Sequence, residues 1–324
     1  MAKDVVLITG GNAGIGFACA RALARRGWHV LMASRDRSAS AAAVARLRAE
    51  SGAEAASEMG LDLASQASVR ALAAEVTGRG LPLRALVCNA GLQFFGRPRF
   101  TAEGHEMTFA VNHLGHFLLA NLLLDHLRAH APSRIVVVSS GVHDPKRWTG
   151  MPKADISDLA TLAATGGPEA GRFRGGLAYV NSKLCNLWFT YELVRRLQMR
   201  DGSADGVPAV TVNAFDPGLT PGSSLTRDYP SAVQFGWNRL LPGLARVLSP
   251  VVAGINTVEQ AGTALARLVD DPQLARLTGR YFPSHTRWKE APSSPASYDA
   301  ARARELWEMS ERLCGTSATA SSPS

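Results

Sequence analysis

Short, almost wholly apolar segments alternate along this chain with longer Ala-, Leu- and Arg-rich stretches, and that alternation restricts its fold more than any other feature. The apolar segments are "VVLIT" (5–9), "HVLMAS" (29–34), roughly 54–61, "RALVCN" (84–89), "RIVVVSS" (134–140) and "AVTVNAF" (209–215). They are apolar at successive rather than alternate positions, which suits strands covered on both faces. Helical spacing of apolar residues marks about 14–26, 38–50, 65–78 and 103–130. Strands separated by helices pair in parallel through right-handed crossovers. The expected fold class is α/β, a doubly wound parallel sheet flanked by helices in three layers, α/β/α.

Behind the first strand stands "TGGNAGIG", residues 9–16. Glycine lets a backbone turn tightly and approach a pyrophosphate, and the helix that follows points free N–H groups at the negative charge. A glycine cluster between a strand and an amphipathic helix is the context of a dinucleotide-binding, Rossmann-like turn. Thr9, Gly10, Asn12, Gly14, Ile15 and Gly16 are its candidate cofactor contacts. The second strand ends in "MASRDR". An NAD site usually places a carboxylate there for the ribose 2′-hydroxyl. This chain offers Arg35 first, whose guanidinium suits a 2′-phosphate. The expected cofactor is NADP+/NADPH in preference to NAD, although Asp36 follows immediately.

The 324 residues exceed the rough 150-residue domain prior, but one rhythm runs through the chain. A single domain over 1–314 is expected, with an insertion at 141–176, a cover segment at 217–257 and a disordered polar tail at 315–324. Cys19, Cys88, Cys185 and Cys314 are scattered without a CxxC pair, against a disulfide framework or zinc site. His113 and His116 have the spacing of metal ligands but no carboxylate or cysteine partner in a zinc pattern, so no metal is expected. The net charge of +8 comes from dispersed arginines, not a nucleic-acid-binding patch. The N-terminus lacks signal-peptide zones, and no apolar run approaches membrane-span length. A cytoplasmic protein is the expectation.

"LAYVNSKLCN" (177–186) places Tyr179 four residues before Lys183, on one face of a helix. Alone, such a pair is commonplace. Together with "LDLAS" (61–65), "CNAG" (88–91), "VNHLGHFLL" (111–119), "VVVSS" (136–140) and "DPGLT" (216–220), it makes residues 4–313 resemble the short-chain dehydrogenase/reductase family. The resemblance implies that Asn112, Ser140, Tyr179 and Lys183 are the catalytic four. It implies that Asp62 and Leu63 border the adenine, that Asn89, Ala90 and Gly91 line the cofactor, and that Pro217, Gly218 and Thr220 lie beside the nicotinamide. Tyr179 and Lys183 would also touch the cofactor ribose. A lysine ammonium lowers a phenol's pKa, Ser140 can hydrogen-bond a developing oxyanion, and Asn112 would hold a proton-relaying water.

Within that family the chain looks most like the light-dependent protochlorophyllide reductase and retinol-dehydrogenase branches. The pigment reductases have a cysteine after the Pro-Gly pair, where this chain has Leu219, and this chain keeps Ser139-Ser140. The expected function is NADP(H)-dependent hydride transfer to or from a carbonyl or alcohol of a lipophilic small molecule. Pigment reduction and a catalytically silent NADP(H)-binding regulatory protein are the alternatives. Trp237, Leu240, Leu241, Leu244, Val247 and Leu248 in the cover could line a substrate pocket, touch a membrane surface or pack on the core. A homodimer or homotetramer is implied by the resemblance.

Overall fold

A computed structural model describes residues 3–94, 97–147, 149–156, 158–163, 174–201, 209–223 and 229–316. Seven strands form one sheet in the order β3-β2-β1-β4-β5-β6-β7, every pair parallel. They are β1 (Val5–Thr9), β2 (His29–Ser34), β3 (Ala56–Gly60), β4 (Leu83–Cys88), β5 (Ser133–Val138), β6 (Val210–Asp216) and β7 (Tyr281–Pro283). β1 and β6 are buried at every residue, as continuous apolar runs require. The strand order reverses between β1 and β4, which opens a crevice at their carboxyl ends.

The helices are α1 (Gly14–Ala24), α2 (Arg37–Ser51), α3 (Gln66–Gly78), α4 (Met107–Phe109), α5 (Gly115–Ala129), α6 (Gly175–Asp201), α7 (Ser231–Phe235), α8 (Leu241–Leu248), α9 (Val258–Asp270) and α10 (Ala300–Cys314). One core cluster packs α3, α5, α6 and α10 against one sheet face, with Phe117, Phe189 and Trp307 among its members. The other packs α1, α2 and α9 against the opposite face. There Gly262 of α9 meets α1 so closely that an added Cβ would lie 2.3 Å from Ala18 Cβ.

The expected first five strands and the sixth fall within two residues of their observed bounds. β7 has only three residues, too short to show a pattern. The expectation that no apolar stretch reaches span length needs correction. Met107–Ala129 is one continuous helix, long and apolar enough to cross a membrane, but 78% of its most apolar window is buried inside the protein. It is a core helix whose apolar residues recur around polar ones instead of running together. The described parts of 141–176 are not only a cover: Ile156, Leu159 and Leu162 are buried in the core. Asn181 of α6 exchanges two hydrogen bonds with the Asp155 backbone, 3.0 and 2.7 Å. Trp148 and residues 317–324, most of the expected tail, lie outside the described residues.

Candidate active site

The glycines of the turn are required by its geometry. Gly10 and Gly14 have φ of +64° and +53°, a region costly for residues with a Cβ. A Cβ on Gly16 would lie 2.3 Å from the Gly10 carbonyl and 2.6 Å from Asn89 Nδ2. Only glycine lets α1 begin so close to the strand ends. Asn12 and Ile15 lie half-buried in the same turn. Thr9 and Asn89 fasten β1 to β4: Thr9 Oγ1 accepts from the N–H groups of Asn89 and Ala90, both at 2.9 Å, and Asn89 Nδ2 donates to the Thr9 carbonyl at 2.8 Å.

At the end of β2, Arg35 is exposed. Asp36, the competing carboxylate, is engaged as the N-cap of α2: its Oδ1 accepts from Ala39 N at 2.9 Å and from Ser38 Oγ at 2.8 Å. Those bonds hold its carboxyl below the usual range. Arg37, which the sequence reading passed over, lies beside Gly60, its Nη2 2.9 Å from where a Cβ would stand. The Arg37 guanidinium thus stands at the β2–β3 end of the crevice. Asp62 Oδ1 accepts from Ala64 N, closing the turn before α3. Leu63 is buried, its carbonyl 2.5 Å from a Cβ built on Gly115, so it packs under α5.

The four catalytic candidates arrive from three elements: the turn before α5, the end of β5 and α6. Asn112 occupies the middle of a π-helical turn, Ala110–Leu114, between α4 and α5; such turns recur at functional sites. Its amide makes three hydrogen bonds. Oδ1 accepts from Leu92 N at 2.8 Å, and Nδ2 donates to the Leu92 carbonyl at 3.0 Å and to Ser182 Oγ at 2.9 Å. Ser182 donates in turn to the Tyr179 carbonyl at 2.7 Å. The Asn112 side chain therefore positions α6 beside the "CNAG" loop. Lys183 Nζ donates to the Val138 carbonyl at 3.1 Å and lies 5.5 Å from the Tyr179 ring centre. Gly91 lies against the same side chains: a Cβ there would stand 3.4 Å from Asn112 Oδ1 and 3.7 Å from Lys183 Nζ, in ordinary contact. Ser139 is buried and donates to the Lys183 carbonyl at 2.7 Å, whereas Ser140 is only half-buried and turns toward Tyr179.

His116 of "NHLGH" has a structural role of its own. Its Nδ1 lies 3.1 Å from the Asn112 carbonyl, which only accepts, so Nδ1 carries the proton. Nε2 then accepts from the Thr9 hydroxyl at 2.8 Å. Burial keeps the ring neutral, its pKa pushed down to about 4. His116 thereby ties the phosphate turn to the π-helical turn. Cys185 is fully buried, as its place on α6 suggested.

Beyond β6 the Pro-Gly loop is shaped by Gly218, with φ +70° and a Cβ position 2.2 Å from Ser284 Oγ. The Pro217 carbonyl accepts from Asn256 Nδ2 at 2.9 Å and from Thr220 Oγ1 at 3.1 Å, so Thr220 bonds within its own loop. A cavity of about 310 Å³ opens between Gly14, Pro221, Gly222 and the cover residues Pro242 and Arg246.

Other residues reach the site only through folding. Asp216, buried to 1% exposure, accepts from Gly218 N at 2.9 Å and from Arg147 Nη1 and the Tyr281 hydroxyl at 3.3 Å each. Arg147 also reaches His285 Nδ1 at 3.0 Å. His143 bonds the Ser140 carbonyl through Nδ1 at 2.6 Å and accepts from Ser294 N at 3.2 Å, fixing the strand end that presents Ser140. Tyr229 lies near enough to influence Tyr179. Only the acid directly before Pro-Gly could have drawn attention; the others depend on loops folding back.

Burial lowers Lys183 to about 8, with Asp216 opposing the fall. Burial also raises Tyr179 above its ordinary 10; Asp216 adds to the rise and a hydrogen bond with Ser140 offsets part of it. The expectation that Lys183 brings the phenol pKa down is thus reversed. Desolvation of the phenolate and the buried Asp216 carboxylate set that direction. Tyr179 is a neutral O–H at physiological pH, the form that donates a proton.

The short chain dehydrogenase family model matches residues 4–151. The chain is 36% identical to protochlorophyllide reductase A of Oryza sativa subsp. japonica over 97% of its length and 81% of that protein's. It is 37% identical to the Homo sapiens WW domain-containing oxidoreductase over 95% of its length and 67% of that protein's. Among solved structures, the Pseudomonas aeruginosa RhlG/NADP active-site complex superposes with a TM-score of 0.62 at 23% identity, over 87% of this chain and 95% of that one, a likeness of fold.

Proposed function

The chain belongs to the short-chain dehydrogenase/reductase family of oxidoreductases, and from that premise we propose that it transfers hydride between NADP(H) and the carbonyl or alcohol carbon of a lipophilic small molecule. One observation carries the reading: Tyr179 and Lys183 meet Ser140 at the carboxyl end of the sheet, beside the phosphate turn. Gly10, Gly14 and Gly16 keep that turn clear for a pyrophosphate. Arg35 and Arg37 suit a 2′-phosphate, while Asp36 is committed to its helix cap.

The dinucleotide, when bound, supplies or takes up the hydride. In the reducing direction the Tyr179 hydroxyl gives its proton to the substrate oxygen as that oxygen gains charge. Ser140 donates a hydrogen bond to the same oxygen. Lys183, still charged below about pH 8, favours the phenolate that Tyr179 leaves behind. Asn112 and His143 act through others, holding α6 and the Ser140 turn in register. In the oxidising direction the same proton returns to Tyr179.

The test is consumption of NADPH and NADH across lipophilic aldehydes, ketones and quinones. Turnover with NADPH supports the reading. Tight NADPH binding without turnover points to a silent regulatory protein. The 36% identity to a protochlorophyllide reductase across 97% of the chain favours one second reading, light-driven pigment reduction. Leu219 stands where that resemblance places a cysteine, which weighs against it. Illumination with NADPH and protochlorophyllide decides: no chlorophyllide absorbance removes it.

A further inference from the structure

The cover segment has its polarity inverted. α8 and its continuation bury the small residues Ala245 and Ser249. Leu240, Leu244, Val247 and Val251 project outward, exposed by 64, 51, 72 and 76%. Leu244 and Val247 lie on the side of α8 away from Ala245 and Ser249, and Leu240 and Val251, four residues before and after them, extend this stripe past the helix's two ends. Phe235, Leu241 and Val252 widen the patch. A helix lying on a protein ordinarily presents charges on that side, and a contiguous apolar patch marks a contact surface. Arg239 and Arg246, both exposed and two turns apart, stand to one side of the stripe, where Arg246 also borders the cavity beside Gly14. No Asp or Glu occurs from Tyr229 to Val258.

We infer that this face docks on an anionic lipid bilayer, with the aliphatic stripe at the acyl boundary and Arg239 and Arg246 among the headgroups. Charge selects this occupant over a second copy. A two-fold contact through the patch would bring arginines against arginines, with no acidic side chain of the segment to meet them. The chain's net charge of +8 acts in the same direction. The inference deepens the proposed function, because lipophilic substrates concentrate in bilayers and the cover adjoins the Pro-Gly loop: Leu219 bonds to Gly254 and Asn256.

The test is co-sedimentation of the full chain with vesicles of phosphatidylcholine alone and of phosphatidylcholine mixed with phosphatidylglycerol. Binding is expected to the mixed vesicles and not to the neutral ones. The Leu244→Glu/Val247→Glu variant, with unchanged melting temperature, should lower the bound fraction at least about ten-fold. Arg239→Gln should weaken binding about five-fold at low salt. No binding to mixed vesicles, equal binding to neutral ones, or undiminished binding by the double variant would overturn the inference. So would light scattering showing a wild-type dimer that the double variant dissociates. NADPH affinity measured on the same samples keeps the two proposals separate, since its loss would strike the oxidoreductase reading alone.

Discussion

Replacing Gly16 by alanine should damage cofactor binding as well as stability, and the binding more. The added Cβ would stand 2.3 Å from the Gly10 carbonyl, and real Cβ contacts below 3.0 Å essentially never occur. The start of α1 must therefore retreat from the strand ends by roughly 0.7 Å at least. Overpacking of this kind costs about 1–3 kcal/mol, and the better helix propensity of alanine offsets up to about 1 kcal/mol of it. With that offset in full, net stability falls by about 0–2 kcal/mol, and the displaced turn no longer presents its N–H groups to a pyrophosphate at the same place. A binding loss of about 1–3 kcal/mol corresponds to roughly 5- to 150-fold in Kd. Fluorescence titration with NADPH, paired with a melting curve, reads both quantities. Gly78→Ala is the control, because a Cβ there meets nothing within 4 Å at the end of α3. Gly16→Ala binding NADPH as tightly as the wild type, with its fold intact, would refute the reasoning.

Lys183 carries its charge below about pH 8, so the pH profile of kcat/KM for carbonyl reduction should be level below that value and fall above it. Asp216→Asn removes the carboxylate that opposes the lowering of Lys183, and should shift that fall to lower pH. Arg35→Glu/Arg37→Glu should raise the Kd for NADPH at least about ten-fold while sparing NADH, since a charge-assisted hydrogen bond contributes about 1.5–3 kcal/mol; titration with both cofactors checks it.

The sheet was legible wherever burial on both faces left a continuous apolar run, as in "VVLIT" and "AVTVNAF". β7 was not, because three residues against one neighbour show no period. Tyr179 and Lys183 were legible because one helix carries both and fixes their spacing. Asp216, Arg147 and His143 were not: each acts through a partner more than a hundred positions away or across a loop crossing, with Arg147 to His285 and His143 to Ser294 as examples. Their local sequence resembles any polar turn. The tuning of Tyr179 was misread for the same reason. The ammonium four residues away is visible in the sequence, but the burial and the carboxylate that oppose it exist only after folding.

The central claim is that Tyr179 delivers the proton. The direct measurement is steady-state NADPH oxidation by wild type and Tyr179→Phe with an active carbonyl substrate, alongside NADPH affinity. Loss of a positioned general acid should lower kcat by about 10²–10⁴-fold while the Kd for NADPH stays within a few-fold. A Phe variant that turns over at the wild-type rate would contradict the account.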